Sequence, residues 1–218
     1  RRIGAGLTDP QPLADAGDKL AKSTAATPEQ EEMEIGRHMA GTLLGASRLD
    51  RQAERQRYVN RVGRWLSLHS SRPHLDWHFG VLADADVNAF AAPGGYIFVT
   101  EGLLDMLESE AELAGVLAHE IGHVTQKHHL AAVRSNNLMG AAMDVGAFLG
   151  DAATGGQASA QQREFAQRVV NASKQVYARG LDKGDEYEAD QEGLRLMTQA
   201  GYDPHAFVAV MQKLEART

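Results

Sequence analysis

Residues Ser109 to Val124 read SEAELAGVLAHEIGHV, and this stretch limits the fold more tightly than any other. Ser109 followed by Glu112 is a capping box, the side-chain pattern that satisfies the free N–H groups at a helix start. Leu113, Val116, Leu117, Ile121 and Val124 then recur at three- and four-residue steps, the period of a helix that buries one face. Into this helix fall His119, Glu120 and His123. At about 100° per residue, the two histidines lie about 40° apart and one turn from each other, so both imidazoles reach one ion. Glu120 lies about 60° from His123, placed to address water beside that ion without being a ligand. This is the HExxH arrangement, in which the glutamate acts as general base. A site of this kind needs a third ligand from elsewhere in the chain.

The chain has no cysteine, which excludes disulfides, thiolate metal ligands and a cysteine nucleophile together. Any metal must therefore be held by His, Asp or Glu. Four of the nine histidines lie in HEIGHVTQKHH, residues 119 to 129. On a straight helix His128 falls about 180° from His119 and His129 about 80° to the other side, so both leave the metal-facing side. They read as polar residues at the helix C-terminal end, where an imidazolium interacts well with the dipole. His38, His69, His74, His78 and His205 have no partner at ligand spacing.

The third ligand is sought in GDEYEADQEG, residues 184 to 193. Glu186 and Asp190 are four apart and share a helical face, whereas Glu188 points about 200° away from Glu186. A catalytic zinc takes three protein ligands and keeps an open position, and His119, His123 and Glu186 suffice for it. Asp190 is placed to accept the remaining ring N–H of a ligand histidine, His119 first, and so to orient it.

Elsewhere the pattern is that of one domain with a mixed content of helix and strand. Residues 1 to 26 read as a loose N-terminal arm and 27 to 218 as a single domain. Thr27, Pro28 and Gln30 open a helix to about Ala46, and a second runs from about Arg51 to His69 with Tyr58, Val62, Trp65 and Leu66 at helical spacing. Trp77, Phe79 and Val81 alternate with Asp76, His78 and Gly80, and Pro93-Gly94-Gly95 then turns the chain into Tyr96 to Thr100. Two or three antiparallel strands are expected there. Helices are expected from about 161 to 179, 185 to 200 and from Pro204 onward. The stretch from 138 to 175 reads either as a lid or plug over the cleft or as an ordinary helical hairpin.

A net charge of −7 and the lack of any lysine- or arginine-rich block exclude the electrostatic footprint of a nucleic-acid binder. The most apolar stretch, Leu138 to Gly150, is too short and too polar to span a bilayer. The chain opens on RRIGAGLTDP without Met, as expected of a processed or trimmed product.

HEIGHVTQKH with EYEADQEG about 60 residues later resembles the HExxH and ExxxD pair of the zinc metallopeptidase family that includes HtpX and the CAAX prenyl endopeptidases. VNAFAAPGGYIFVTEGLL is similar to that family's edge strand and hairpin, and AGYDP to the turn after its third ligand. The resemblance covers about Leu75 to Leu214 and looks closest to the soluble, bacterial cell-envelope branch. It implies a mainly helical α+β fold of the zincin type, with a small antiparallel sheet beside the HExxH helix. It makes His119, His123 and Glu186 the ligands of one zinc ion per chain, Glu120 the catalytic base, and Asn88, Ala89 and Phe90 the edge positions that pair with substrate backbone. It implies a zinc-dependent endopeptidase acting on proteins in envelope quality control, periplasmic, with at most peripheral contact with the membrane. A zinc-binding holdase or assembly factor with a latent site is the alternative. Many relatives carry a Ser-Arg pair where this chain has Asp182 and Lys183. Tyr187, Tyr177 and Arg179 are the candidates for stabilising an oxyanion, with none preferred.

Overall fold

The computed structural model describes residues 29–133 and 181–216. The N-terminal arm, the Thr27-Pro28 helix start, the stretch read as lid or hairpin, and Tyr177 and Arg179 lie outside these residues. Seven helices and three strands follow one another among the described residues: α1 (Glu29–Ala46), α2 (Ala53–Ser67), β1 (His78–Leu82), β2 (Ala89–Ala92), β3 (Tyr96–Thr100), α3 (Glu101–Met106), α4 (Glu110–Thr125), α5 (His128–Val133), α6 (Lys183–Ala200) and α7 (His205–Glu215). The fold is α+β and mainly helical, as expected, with the sheet beside the HExxH helix.

The sheet is mixed rather than antiparallel. Its order is β1-β3-β2, with β2 antiparallel to β3 but β1 parallel to it. The chain leaves β1, passes the place next to it, forms β2 at the far edge and returns through the Pro93–Gly95 turn into the middle. Gly94 and Gly95 take φ of 74° and 99° there, the left-handed region that glycine enters without strain. Thr100 pins the long connection: its hydroxyl donates to Asp86 O (2.5 Å) and accepts from Asn88 N (3.0 Å) and from Leu103 N (3.2 Å). One threonine thus holds the approach to β2 and caps α3.

The outer edge of β1 is closed by side chains of α2. Gln56 exchanges hydrogen bonds with both backbone groups of Val81, and Asn60 Nδ2 donates to Phe79 O at 2.6 Å. Such cover protects a sheet edge from unwanted pairing. The opposite edge strand, β2, lies toward α4 and lines the site.

Residues 112 to 124 of α4 are all buried, as expected of a helix surrounded on every side. Its cap is the expected one with a shift: Ser109 Oγ accepts from Glu112 N at 3.2 Å, while Glu112 Oε2 reaches back to Glu108 N at 2.9 Å. The main core joins α2, the sheet, α4, α6 and α7 through residues such as Val59, Leu66, Ile97, Leu117, Leu196 and Phe207. On α2 the buried stripe is Val59, Val62, Gly63 and Leu66. Trp65 is 47% exposed, with its indole N–H donating to Ala200 O at the end of α6. That end is a Schellman turn: Gly201 has φ of 85°, and Tyr202 N donates to Met197 O at 2.9 Å.

Candidate metal centre

α4 and α6 cross where glycine lets two backbones come close. A Cβ on Gly193 would stand 3.2 Å from the backbone N of His119, and one on Gly122 would stand 3.0 Å from Ala189 O. This contact carries the start of α6 to the His119–His123 face of α4. Asp182 caps α6, accepting from Gly184 N and Asp185 N, so the helix begins one turn before Glu186. Close backbone approach and a side-chain cap together place Glu186 opposite the two histidines.

The three atoms that face one another are His119 Nε2, His123 Nε2 and Glu186 Oε2. The nitrogens are 3.0 Å apart, and Glu186 Oε2 lies 3.5 Å from the first and 3.8 Å from the second. A point equidistant from all three stands about 2.0 Å from each, the length of a zinc bond to imidazole or carboxylate. Two imidazole lone pairs at this separation repel unless a cation or proton lies between them. The donor set is two buried nitrogens and one half-buried carboxylate, so the residues present fit a divalent metal.

Asp190 sits behind His119, its Oδ1 3.0 Å from Nδ1 and off the line of a straight hydrogen bond. Phe207 of α7 stacks on the other side of the same ring, centroids 5.9 Å apart and planes 28° from parallel. His119 is thus held by a carboxylate and an aromatic face. With only protein groups around it, burial disfavours its charge, but Asp190 and Glu186 outweigh burial and lift its pKa to about 10. His123 goes the other way. Burial, with His119, His129 and His128 beside it, drives its pKa down to about 2, so it stays a neutral donor. Glu120 is pushed up to about 7 by burial, with His119 pulling against that rise.

Beyond Thr125 the helix does not run straight. Lys127 takes φ of 62°, and α5 starts at His128 in a new direction. His128 Nδ1 comes to 3.0 Å from His123 Nδ1, and the His129 ring lies 5.4 Å from the His123 ring. Both histidines are buried. The expectation that both leave the site is therefore corrected: His129 lines the cavity and His128 packs behind His123, and the left-handed corner at Lys127 is the reason. An L-residue in that region costs roughly 1–2 kcal/mol. Lys127 Nζ reaches Glu32 Oε2 at 3.3 Å, a contact that helps hold the corner. Burial together with His128 brings the His129 pKa down to about 4.

A cavity of about 220 Å³ opens on this group. Its walls include Asn88, Ala89 and Phe90, Glu120, His129, Leu181 and the facing His119, His123 and Glu186. Of the sequence-expected positions, Asn88, Ala89, Phe90, His119, Glu120, His123 and Glu186 surround one space, and Asp190 stands behind His119. Tyr187 does not join them: it is 63% exposed and is absent from the cavity wall among the described residues. His129, Leu181 and Phe207 carry no spacing signal in the sequence, because none shares a helix face with the motif.

Comparison with known proteins decides the family. Residues 53–216 match Peptidase family M48. The chain belongs to this family. Among curated M48-like relatives, the beta-barrel assembly-enhancing protease of Escherichia coli (strain K12) is 30% identical over 184 residues, covering 84% of this chain and 37% of its own length. The mitochondrial metalloendopeptidase OMA1 of Schizosaccharomyces pombe is 33% identical over 159 residues, covering 73% of this chain and 44% of the relative. The metalloprotease YcaL of E. coli (strain K12) is 34% identical over 141 residues, 63% of this chain and 50% of that protein. The chain thus spans half or less of the length of these relatives. Family M48 membership implies a metal cofactor, and the facing His-His-Glu atoms are where the described residues offer one a place. No helix among the described residues is long and apolar enough to cross a membrane.

Proposed function

We propose that this M48 chain is a zinc-dependent endopeptidase that cleaves protein substrates, with His119, His123 and Glu186 holding one zinc ion and Glu120 serving as base. The observation that carries the reading is the facing triangle of Nε2, Nε2 and Oε2, with buried Glu120 on the wall of the same cavity. When bound, zinc supplies a Lewis acid that polarises a carbonyl and acidifies water. Glu120 takes the proton released by the attacking water and delivers it to the leaving amine. In the metal-free chain burial pushes this carboxyl up to about 7, so its buried place on the cavity wall disposes it to take a proton. Asp190 keeps His119 oriented with Nε2 toward the ion.

Substrate enters as an extended segment along Asn88, Ala89 and Phe90. β2 stands at the end of the strand order and lines the cavity, so a peptide laid against it has its backbone in register beside Glu120. The name of one relative, a beta-barrel assembly-enhancing protease, supports a place in bacterial envelope quality control, in the periplasm and at most peripheral to the membrane. The alternative is a zinc-binding holdase that uses the same strand without cleaving.

One experiment separates these readings: zinc stoichiometry measured together with casein cleavage, for the wild type and for Glu120→Gln. One zinc per chain in both proteins, with cleavage falling about 10²–10⁴-fold in the variant, is expected. Zinc bound without Glu120-dependent cleavage leaves the holdase, and no zinc sinks the metal site.

A further inference from the structure

Each ligand histidine needs an acceptor behind it to keep one ring nitrogen bare for the metal. For His119 that acceptor is Asp190. Behind His123, among the described residues, stands no carboxylate but another imidazole. His123 Nδ1 and His128 Nδ1 are 3.0 Å apart, with the rings at 73° and their centroids 5.2 Å apart. Two ring nitrogens at that separation share one proton. Since His123 Nε2 faces His119 and Glu186, its hydrogen belongs on Nδ1, and His128 Nδ1 is the acceptor. The hydrogen of His128 then lies on Nε2, which is 3.3 Å from Glu188 Oε2 and 3.9 Å from Asp185 Oδ1.

We propose that His128 is a positioning residue of the metal centre: it accepts the His123 Nδ1–H, and Glu188 holds His128 in the tautomer that lets it do so. The inference rests on the reading of His119, His123 and Glu186 as zinc ligands. It gives a reason for the left-handed corner at Lys127, because without it a residue five positions after His123 faces away from it. It also gives Glu188 a use. On α6 this side chain points away from Glu186, toward the corner where His128 waits, so one helix serves both ligand histidines: Asp190 directly, Glu188 through His128. A neutral imidazole is a weaker acceptor than a carboxylate, and a carboxylate on its far N–H strengthens it.

The test is zinc affinity of the full 218-residue chain by competition with a chromophoric chelator, alongside the metal-free melting temperature, for His128→Leu, His128→Asn and Glu188→Gln. His128→Leu is expected to weaken zinc binding 10–100-fold, the range for loss of an orienting partner, at an unchanged metal-free melting temperature. His128→Asn, whose Oδ1 stands near the place of Nδ1 as an acceptor, restores affinity to within a few-fold of wild type. Glu188→Gln weakens binding several-fold, and at 60% exposure its side chain is safe to change. Wild-type affinity in His128→Leu, or His128→Asn as weak as His128→Leu, overturns the proposal. Should His128→Leu not fold, the other two decide: near-wild-type His128→Asn with weakened Glu188→Gln supports it, and unchanged Glu188→Gln overturns it. A wild type that takes up no zinc overturns the ligand reading along with it, whereas one zinc per wild-type chain with unaffected variants overturns only the part of His128.

Discussion

Glu32 and Glu186 are both carboxylates set among basic groups, and the molecule treats them in opposite ways. Glu32 is fully buried, and its oxygens accept from Arg72 at 2.6 and 3.1 Å and from Gly94 N at 3.2 Å, with Lys127 Nζ paired to it at 3.3 Å. Arg72 in turn donates toward Val124 O and Glu29. Every side of that charge is met by a donor. Glu186 is half-exposed and faces two imidazole nitrogens at 3.5 and 3.8 Å, too far for good hydrogen bonds and spaced for an ion. A saturated network ties parts of the fold together, here α1, the β2–β3 turn and the corner at Lys127. A network in which a carboxylate faces two imidazole nitrogens at this spacing is where the described residues offer a metal a place. The two meet at Lys127, which completes the first and swings His128 into the second.

The largest expected effects break this comparison from its functional side. Glu186→Ala is predicted to abolish stoichiometric zinc uptake and casein cleavage while leaving the metal-free melting temperature within a few degrees, since the lost side chain is half-exposed and supports no packing. Metal analysis and a thermal melt on the same sample check it, and a variant that still holds one zinc would show that the ion is not bound where the triangle stands. Glu32→Ala is predicted to do the reverse. Removing the buried partner leaves Arg72 with only the exposed Glu29 at 3.3 Å and costs about 3–5 kcal/mol. Urea unfolding measures it; a loss below about 1 kcal/mol would mean that water or rearrangement replaces Glu32 and that the network is not saturated in the sense argued. Zinc per folded molecule stays at one.

Asp190→Asn tests a graded middle case. The amide keeps an oxygen near His119 Nδ1 but loses the charge, so zinc affinity falls about 10–100-fold with stability little changed. Competition with a chelator reads it directly. An unchanged affinity would leave Phe207 stacking as the main restraint on the His119 ring.

The division between the two networks also marks what could be read in the sequence. His119, Glu120 and His123 are legible because a helix has one period and its spacing places side chains without knowledge of the rest. Glu186 and Asp190 are legible as a pair for the same reason, and the need of a two-histidine site for a third ligand, with the family resemblance beside it, supplied the expectation that the pairs meet. Local capping was legible at Ser109, although Glu112 reached Glu108 N rather than Ser109 N. The direction of β1 was not, because alternation shows that a strand exists and says nothing of which neighbour it takes. The corner at Lys127 was not legible either: the residues most often found at positive φ are glycine and asparagine, and QKHH contains neither. With that corner went His128, His129 and the meaning of Glu188. Glu32 with Arg72 is a contact across 40 positions of chain, which no local period reports.

The smallest effect concerns a third carboxylate, on the same helix as Glu120. Glu112 is buried, yet its pKa is lowered: burial pushes it up, but the backbone N–H of Glu108 at 2.9 Å and Lys213 Nζ at 2.7 Å outweigh burial. Its carboxylate is satisfied in the manner of Glu32, at the start of α4, whereas Glu120 near the other end is raised to about 7 by burial that His119 offsets only in part. The signs follow. A depressed folded-state pKa stabilises the fold above the unfolded value near 4.5, and that contribution is lost as pH falls through the lower folded value. A raised one does the opposite: in the metal-free chain, stability is lost as pH rises from about 4.5 to about 7, because the folded state holds a proton that the unfolded chain has released. Urea midpoints of the metal-free chain against pH distinguish the two. Glu112→Gln should flatten the acid limb below about pH 4.5, and Glu120→Gln should remove a decline between about 4.5 and 7. Parallel curves for wild type and both variants would mean that neither carboxylate is set apart by its surroundings, and the contrast between satisfied and unsatisfied charge would not extend along α4.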